Sequence, residues 1–264
     1  MMRILHLSDP HFGTERPQVL TALQALAERL APDVVLLSGD ITQRARRWQF
    51  AAARAFADTL PAPVVAVPGN HDLPLFNLWA RWRNPYGNYR RAFGQRLEPV
   101  FAEPRLLVVG VNSTRAGRHK NGEVTPEQVA RVSGHLAAAL PGQLRIVMLH
   151  HPVRAWSQGD RKNLLIGRAS AVPAWLAAGA DLILGGHIHL PYVLPLAGDG
   201  SRSGWAIQAG TALSSRVREN VSNSVNLILY DAGHPRGACA VERWDHGTAG
   251  FQRVAHTDLP LARP

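Results

Sequence analysis

The chain has a single cysteine, Cys239, among 264 residues. An internal disulfide framework is therefore excluded, and so is a metal site built on several thiolates. Any metal would have to be held by His, Asp, Glu or Asn. One lone thiol also fits a reducing compartment. Long apolar runs are missing as well: no stretch approaches the ~18 residues of a membrane-spanning helix. The N-terminal run Met1-Met2-Arg3-Ile4-Leu5-His6 turns polar too soon for a secretory signal. Together these absences predict a soluble, cytoplasmic protein. Acidic residues are scarce, with 19 Asp and Glu against 29 Lys and Arg, a net charge of +10. That surplus favours anionic partners, whether phosphorylated substrates, nucleic acid or acidic lipid. The arginines are scattered through many segments, however, as they are on an ordinary basic surface. Internal repeats and composition breaks are also lacking, so 1–264 is expected to be a single domain. With 46% apolar and only 18% charged residues, a sizeable buried core is expected.

What the chain does contain is a series of short apolar runs rich in Val, Ile and Leu. They lie at 4–7, 34–37, 64–67, 106–111, 146–149, 182–184, 206–209 and 225–230. Each has strand length and the composition of a buried strand. Helical patterns alternate with the early runs. Residues 17–30 place Val19, Leu23, Leu26 and Leu30 at helical spacing, and 47–60 carries Phe50 and Phe56 in an Ala-rich stretch. Residues 126–140 follow Thr125, a good N-cap, and 171–178 end at Gly179. This alternation predicts an α/β fold. Strands dominate after residue 200, which predicts that the C-terminal part supplies a second sheet. A short Gly-rich loop is expected at 196–203. Segment 73–94 breaks the pattern with Trp79, Trp82, Tyr86, Tyr89 and Phe93 among Arg and Asn. It reads either as a cap inserted over a site or as a helical hairpin packed on the body.

Five of the apolar runs end in residues that can ligate a metal: Asp9-Pro10-His11, Gly39-Asp40, Gly69-Asn70-His71-Asp72, His150-His151-Pro152 and Gly185-Gly186-His187-Ile188-His189. In open α/β sheets, ligands sit beyond the carboxyl ends of the strands, so all five groups fall on one sheet edge. Asp9 and His11 are two apart, as are His187 and His189; in extended chain that spacing points both side chains the same way. Imidazole, carboxylate and amide oxygen without thiolate suit Mn, Fe, Zn or Co better than Ca. This many candidates exceeds the needs of one ion and suits two. Two metals roughly 3.5–4 Å apart can hold a bridging hydroxide and clamp an in-line displacement at phosphorus. Each residue alone has a plainer role, as a turn former or helix cap.

The ordered set Asp9-x-His11, Gly39-Asp40, Gly69-Asn70-His71-Asp72, His150 and Gly186-His187-x-His189 resembles the motif set of the calcineurin-like metallophosphoesterases. The resemblance implies a four-layer α/β/β/α sandwich, two mixed β-sheets flanked by helices. It implies one metal held by Asp9, His11, Asp40 and His189, and a second held by Asp40, Asn70, His150 and His187, with Mn and Fe favoured. It also implies that His71 contacts the phosphate or protonates the leaving oxygen, and that Asp72 orients the His71 ring. His151 is expected outside the ligand set or on the surface, His6 in the core, and His119, His135, His234, His246 and His256 in solvent.

Within that family, Val-Pro-Gly-Asn-His-Asp, His-His-Pro and Ala209-Gly210-Thr211 look most like the compact class III cyclic-nucleotide phosphodiesterases. The expected function is hydrolysis of small phosphodiesters, 3′,5′-cyclic nucleotides among them. Three alternatives accompany it: a metal-dependent nuclease, favoured by the charge; a lipid-linked pyrophosphate hydrolase, favoured by the aromatic segment; and a non-catalytic binding module, which a lost ligand would signal. Substrate contacts are expected from Arg44, the 81–91 stretch, Arg115 and the 159–168 loop.

Overall fold

A computed structural model describes residues 1–198, 202–234 and 237–262. In chain order the elements are β1 (Met2–Leu7), α1 (Pro17–Leu30), β2 (Val34–Leu37), α2 (Arg47–Asp58), β3 (Val64–Ala66), α3 (Leu78–Arg83), α4 (Gly87–Phe93), β4 (Val100–Glu103), β5 (Leu106–Gly110) and α5 (Pro126–Ala137). There follow β6 (Leu144–Met148), α6 (Arg168–Ala177), β7 (Leu182–Gly185), β8 (Tyr192–Ala197), β9 (Ser203–Gln208), β10 (Ser224–Asp231), β11 (Ala238–Gly247) and β12 (Gly250–Asp258).

Two six-stranded mixed sheets result, ordered β12-β11-β10-β1-β2-β3 and β4-β5-β6-β7-β9-β8. Alternation along the strands stacks them. Ile4, Val34 and Leu36 turn one way and meet Leu106, Val108, Ile146 and Met148 of the second sheet in a buried central core. Their neighbours Leu5, Leu7, Val35 and Leu37 turn the other way, onto Val19, Leu23 and Leu26 of α1 and Phe50 and Phe56 of α2. On the far side, Leu107, Val109, Val147 and Ile183 pack against Val132 and Leu136 of α5 and Trp175 and Leu176 of α6. The outcome is four layers, α/β/β/α, as the resemblance implied.

Local chemistry sets the helix boundaries. Pro17 sits in the first turn of α1, where its missing N–H costs nothing, and Ala31 ends that helix with φ 43°. At α5, the Thr125 hydroxyl accepts from the Gln128 amide at 3.2 Å, and the Gln128 side chain accepts from the Thr125 amide at 3.0 Å.

The expected source of the second sheet needs correction. β9 does join it, but β10, β11 and β12 extend the first sheet instead, because β10 pairs antiparallel with β1. β10 has the faces of an interior strand: Val225 packs with the α1–α2 layer, while Ile228 and Tyr230 enter the central core. In segment 73–94, α3 and α4 form two short helices, and buried Tyr89 of α4 ties them to the body, its hydroxyl donating to the Ala66 carbonyl at 2.8 Å. The tip of the Gly-rich loop, 199–201, lies outside the described residues. Among the described residues, no helix is long and apolar enough to cross a membrane.

Candidate metal centre

The carboxyl ends of β1, β2, β3, β6 and β7 converge at one edge of the sandwich. Backbone bonds lock their loops together: the Asp9 amide donates to the Gly39 carbonyl and the His11 amide to the Asp40 carbonyl, each at 3.1 Å. Gly39 takes φ +95°, and a Cβ there would meet the Gly69 backbone and the His150 ring. A Cβ on Gly186 would collide with Ser8 and Asp9. These two positions need glycine so that neighbouring loops can approach.

The side chains meet within these turns. His11 Nε2 lies 3.1 Å from His189 Nε2 and 3.6 Å from Asp9 Oδ1, and Asp9 Oδ1 is 3.1 Å from His189 Nε2. Asp40 reaches both halves, with Oδ2 3.7 Å from His11 Nε2 and Oδ1 3.3 Å from His150 Nε2. Asn70 Oδ1 and His187 Nδ1 are 2.9 Å apart. A proton between them satisfies both atoms, and the same pair can instead face a shared cation. The outward nitrogens are anchored: His150 Nδ1–H donates to the Ser38 carbonyl at 2.8 Å, and His189 Nδ1–H to the Arg216 carbonyl at 2.5 Å. Inward, Asp9 Oδ1 and His150 Nε2 are buried without a hydrogen-bond partner. Buried acceptors left unpaired are costly, and a cation resolves the conflict. The residues present therefore fit a metal pair.

Electrostatics agree with that fit. Burial acts against the carboxylates of Asp9 and Asp40, yet His189, His11 and His150 beside them hold both well below the usual carboxylate range. Burial pulls His11 down to about 4 and His187 to about 3, so both rings are neutral at neutral pH. Against burial, Asp40 raises His150 to about 9 and Asp9 raises His189, and a bound cation would displace those two protons. The backbone is strained as well. Asp9, His11, Asp40, His187 and His189 all have positive φ, between 45° and 75°. Left-handed backbone is unfavourable for these residue types, and it concentrates at functional sites.

The sequence profile of the calcineurin-like phosphoesterases matches residues 2–191. The chain belongs to this family. A glycerophosphodiester phosphodiesterase, GpdQ of Enterobacter lignolyticus, is 27% identical over 57% of this chain and 57% of its own length. A probable cyclic nucleotide phosphodiesterase of Rhodococcus erythropolis is 26% identical over 74% of this chain and 67% of its own. The chain thus spans little more than half the length of the first of these phosphoesterases. A dimetal phosphatase from Danio rerio shares the fold, with a TM-score of 0.68 at 15% identity over 98% of this chain and 99% of that one.

Other sequence-derived expectations fare unevenly. His71 lies at the edge of the cluster, its ring 4.9 Å from that of His11. Asp72 does not orient it. The Asp72 carboxylate accepts from the amides of Gly69, Ile41 and Thr42 and from the Thr42 hydroxyl, at 2.8–3.0 Å. The His71 ring instead donates through Nδ1–H to the Gln43 carbonyl at 3.0 Å. His6 is buried and paired with Ser38, as expected of a core histidine. His151 is buried too, not at the surface: Nδ1 accepts from Ser113 at 2.8 Å and Nε2–H donates to the Lys120 carbonyl at 2.9 Å, so neither nitrogen is free for a metal. His119, His135, His234 and His256 are exposed, while His246 is half-buried.

A cavity of about 730 Å³ opens over the centre. Arg44, Leu73 and Leu75 line it, as do Gly159, Asp160 and Lys162 of the expected 159–168 loop. Arg81 is not a substrate contact: it is buried, and its guanidinium donates to the carbonyls of Pro74, Ala116 and Arg118. Arg115 is likewise tied to the Asn112 and Thr114 carbonyls. Sequence reading missed Arg216 and Arg218, which both line the cavity. Arg216 Nη1 donates to His71 Nε2 at 3.1 Å and to Gln43 Oε1 at 3.0 Å. No motif surrounds it; only its place after the last His pair could have drawn notice.

Proposed function

We propose that this chain is a dinuclear metal-dependent phosphodiesterase acting on small phosphodiesters, with 3′,5′-cyclic nucleotides the first class to test. The observation that carries the reading is the convergence of Asp9, His11, Asp40, His150 and His189, with outward nitrogens of His150 and His189 anchored and inward acceptors left bare. The names of the GpdQ and Rhodococcus relatives support the diester preference. Asp9, His11, Asp40 and His189 would hold one ion; Asp40, Asn70, His150 and His187 would hold the other. Imidazole and carboxylate donors without thiolate suit Mn, Fe, Zn or Co, and the family resemblance puts Mn and Fe first. When bound, the pair supplies Lewis-acid activation of water and neutralises phosphate charge.

The chain's own groups do the rest. The Gln43 carbonyl holds the His71 Nδ1 proton, so Nε2 faces the cavity, where it accepts from Arg216; protonated at Nε2, His71 would give up that bond and pass its proton to the leaving oxygen. Arg216 beside it adds a fixed donor for charge that develops on the phosphoryl oxygens. Its backbone carbonyl sets the His189 tautomer, leaving Nε2 free to ligate. Leu73 and Leu75, at the start of segment 73–94, narrow the entrance as a partial cap.

A nuclease is the second reading, favoured by the cations on the cavity wall. The test is hydrolysis of bis(p-nitrophenyl) phosphate and 3′,5′-cyclic AMP by metal-stripped protein, with and without Mn²⁺. Metal-dependent cleavage of both supports the proposal. Cleavage of the generic diester alone removes cyclic nucleotides from it. Cleavage of neither, with two ions bound, overturns it.

A further inference from the structure

The charges of the cavity do not balance around a single phosphodiester. Two divalent ions with the carboxylates of Asp9 and Asp40 leave about two positive charges, which a diester and an attacking hydroxide already offset. The wall adds Arg44, Lys120, Lys162, Arg216 and Arg218. Asp160 answers one of these, since Arg218 binds it at 2.6 Å. Arg44, Lys120, Lys162 and Arg216 form no ion pair with any described carboxylate. Arg216 stands beside His71, next to the reacting position. The two lysines stand elsewhere. The Lys120 carbonyl is held by buried His151, whose ring packs 4.6 Å from that of His187. Asn121 donates to the Lys162 carbonyl at 3.2 Å, so the loops carrying the two lysines are joined. The loops that carry the two lysines thus meet on the cavity wall on the His187 side.

We infer that the site takes a phosphoester bearing a second phosphate, and that Lys120 and Lys162 bind this second group. The inference rests on the phosphodiesterase reading above. Two mobile ammonium groups suit a terminal phosphate, a compact dianion, better than a planar carboxylate, which a guanidinium fork would match. The second phosphate could belong to a bisphosphorylated small molecule or be the terminal 5′-phosphate of a nucleic acid chain.

The test uses Mn²⁺-loaded protein and calorimetric binding of adenosine 5′-monophosphate, adenosine 3′,5′-bisphosphate and a 5′-phosphorylated ten-residue oligothymidylate. Both lysines are exposed, so Lys120→Ala/Lys162→Ala retains the fold. The unaltered protein should bind the bisphosphate at least about tenfold tighter than the monophosphate, and the double variant should lose most of that preference. Oligothymidylate binding that outstrips the bisphosphate, weakens steeply with salt and depends on the lysines supports the same site with a nucleic acid as its source. Equal binding of the two nucleotides, binding of neither, or a preference that survives the double substitution overturns the inference. Failure of the unaltered protein to cleave bis(p-nitrophenyl) phosphate would strike instead at the phosphodiesterase reading.

Discussion

Asp72 Oδ1 lies 2.8 Å from the amide nitrogen of Thr42, thirty residues back along the chain. With its bonds to Ile41 and Gly69, this carboxylate staples the loop after β2 to the loop after β3, and so sets the spacing between Asp40 and Asn70. Asp72→Ala strands several buried donors. It should cost about 3 kcal/mol of stability, lowering Tm by roughly 6–12 °C, and should weaken metal binding with it. Thermal unfolding and metal analysis check this; a variant as stable as the parent would refute the staple.

His71 separates from its neighbour in the opposite sense. Its ring hangs from Gln43 and bridges nothing structural beyond Arg216. His71→Ala should cut turnover by roughly 10²–10⁴-fold while metal content and Tm stay near the parent values. Loss of metal in this variant would show that His71 is structural.

Asp40 serves both halves of the centre. Asp40→Ala should lose both ions and all turnover, which elemental analysis of the purified variant measures. One ion retained at full occupancy would mean that the two positions are independent.

Metal removal should lower stability without unfolding the protein. The left-handed turns and facing nitrogens at the centre are then uncompensated, while the three apolar layers remain intact. A chelator should therefore reduce Tm by several degrees, about the effect of 1–3 kcal/mol, and leave the far-ultraviolet circular dichroism unchanged.

The Arg218–Asp160 pair sets a pH signature. Burial raises the Asp160 pKa, but hydrogen bonds from Arg218 and Ser157 outweigh it and the net shift is downward. A depressed carboxylate contributes stability above its unfolded value, near ~4, and that contribution is lost as pH falls through the lower folded value. The stability difference between the parent and Arg218→Ala should be constant from neutral pH to about 5 and shrink below ~4. Chemical denaturation at pH 7 and pH 3 compares them; a difference that grows in acid would reverse the assignment.

Much of this arrangement was legible because the same residues that end the strands carry the chemistry. Continuous apolar runs, five of them closed by Asp, Asn or His, marked both the sheet edge and the site. Helix α1 was readable to the residue, since Pro17 and Leu30 bound a clean apolar stripe. β11 and β12 were not, because Glu242, Arg243, Asp245, Arg253 and His256 give these outer strands the composition of surface loops. The partner of β10 was equally hidden: pairing with β1 is a long-range choice that an apolar run does not encode. Arg216 escaped for a related reason, since its link to His71 spans 145 residues and no local pattern reports it. Asp72 shows the limit of motif reading, where a residue in the expected place has hydrogen-bond partners other than the expected one.

The antiparallel pairing of β1 with β10 joins Met2 to Tyr230 and His6 to Asn226. The strand that leads into Asp9 and His11 thus leaves the ribosome more than two hundred residues ahead of its neighbour. Until residues 224–231 emerge, one edge of β1 is an open template for pairing with other chains. His189 likewise gains its carbonyl anchor only once Arg216 has been added. Translation order therefore delays completion of the centre until Arg216 and residues 224–231 are available, and a chain terminated before them would display early donors that it cannot organise.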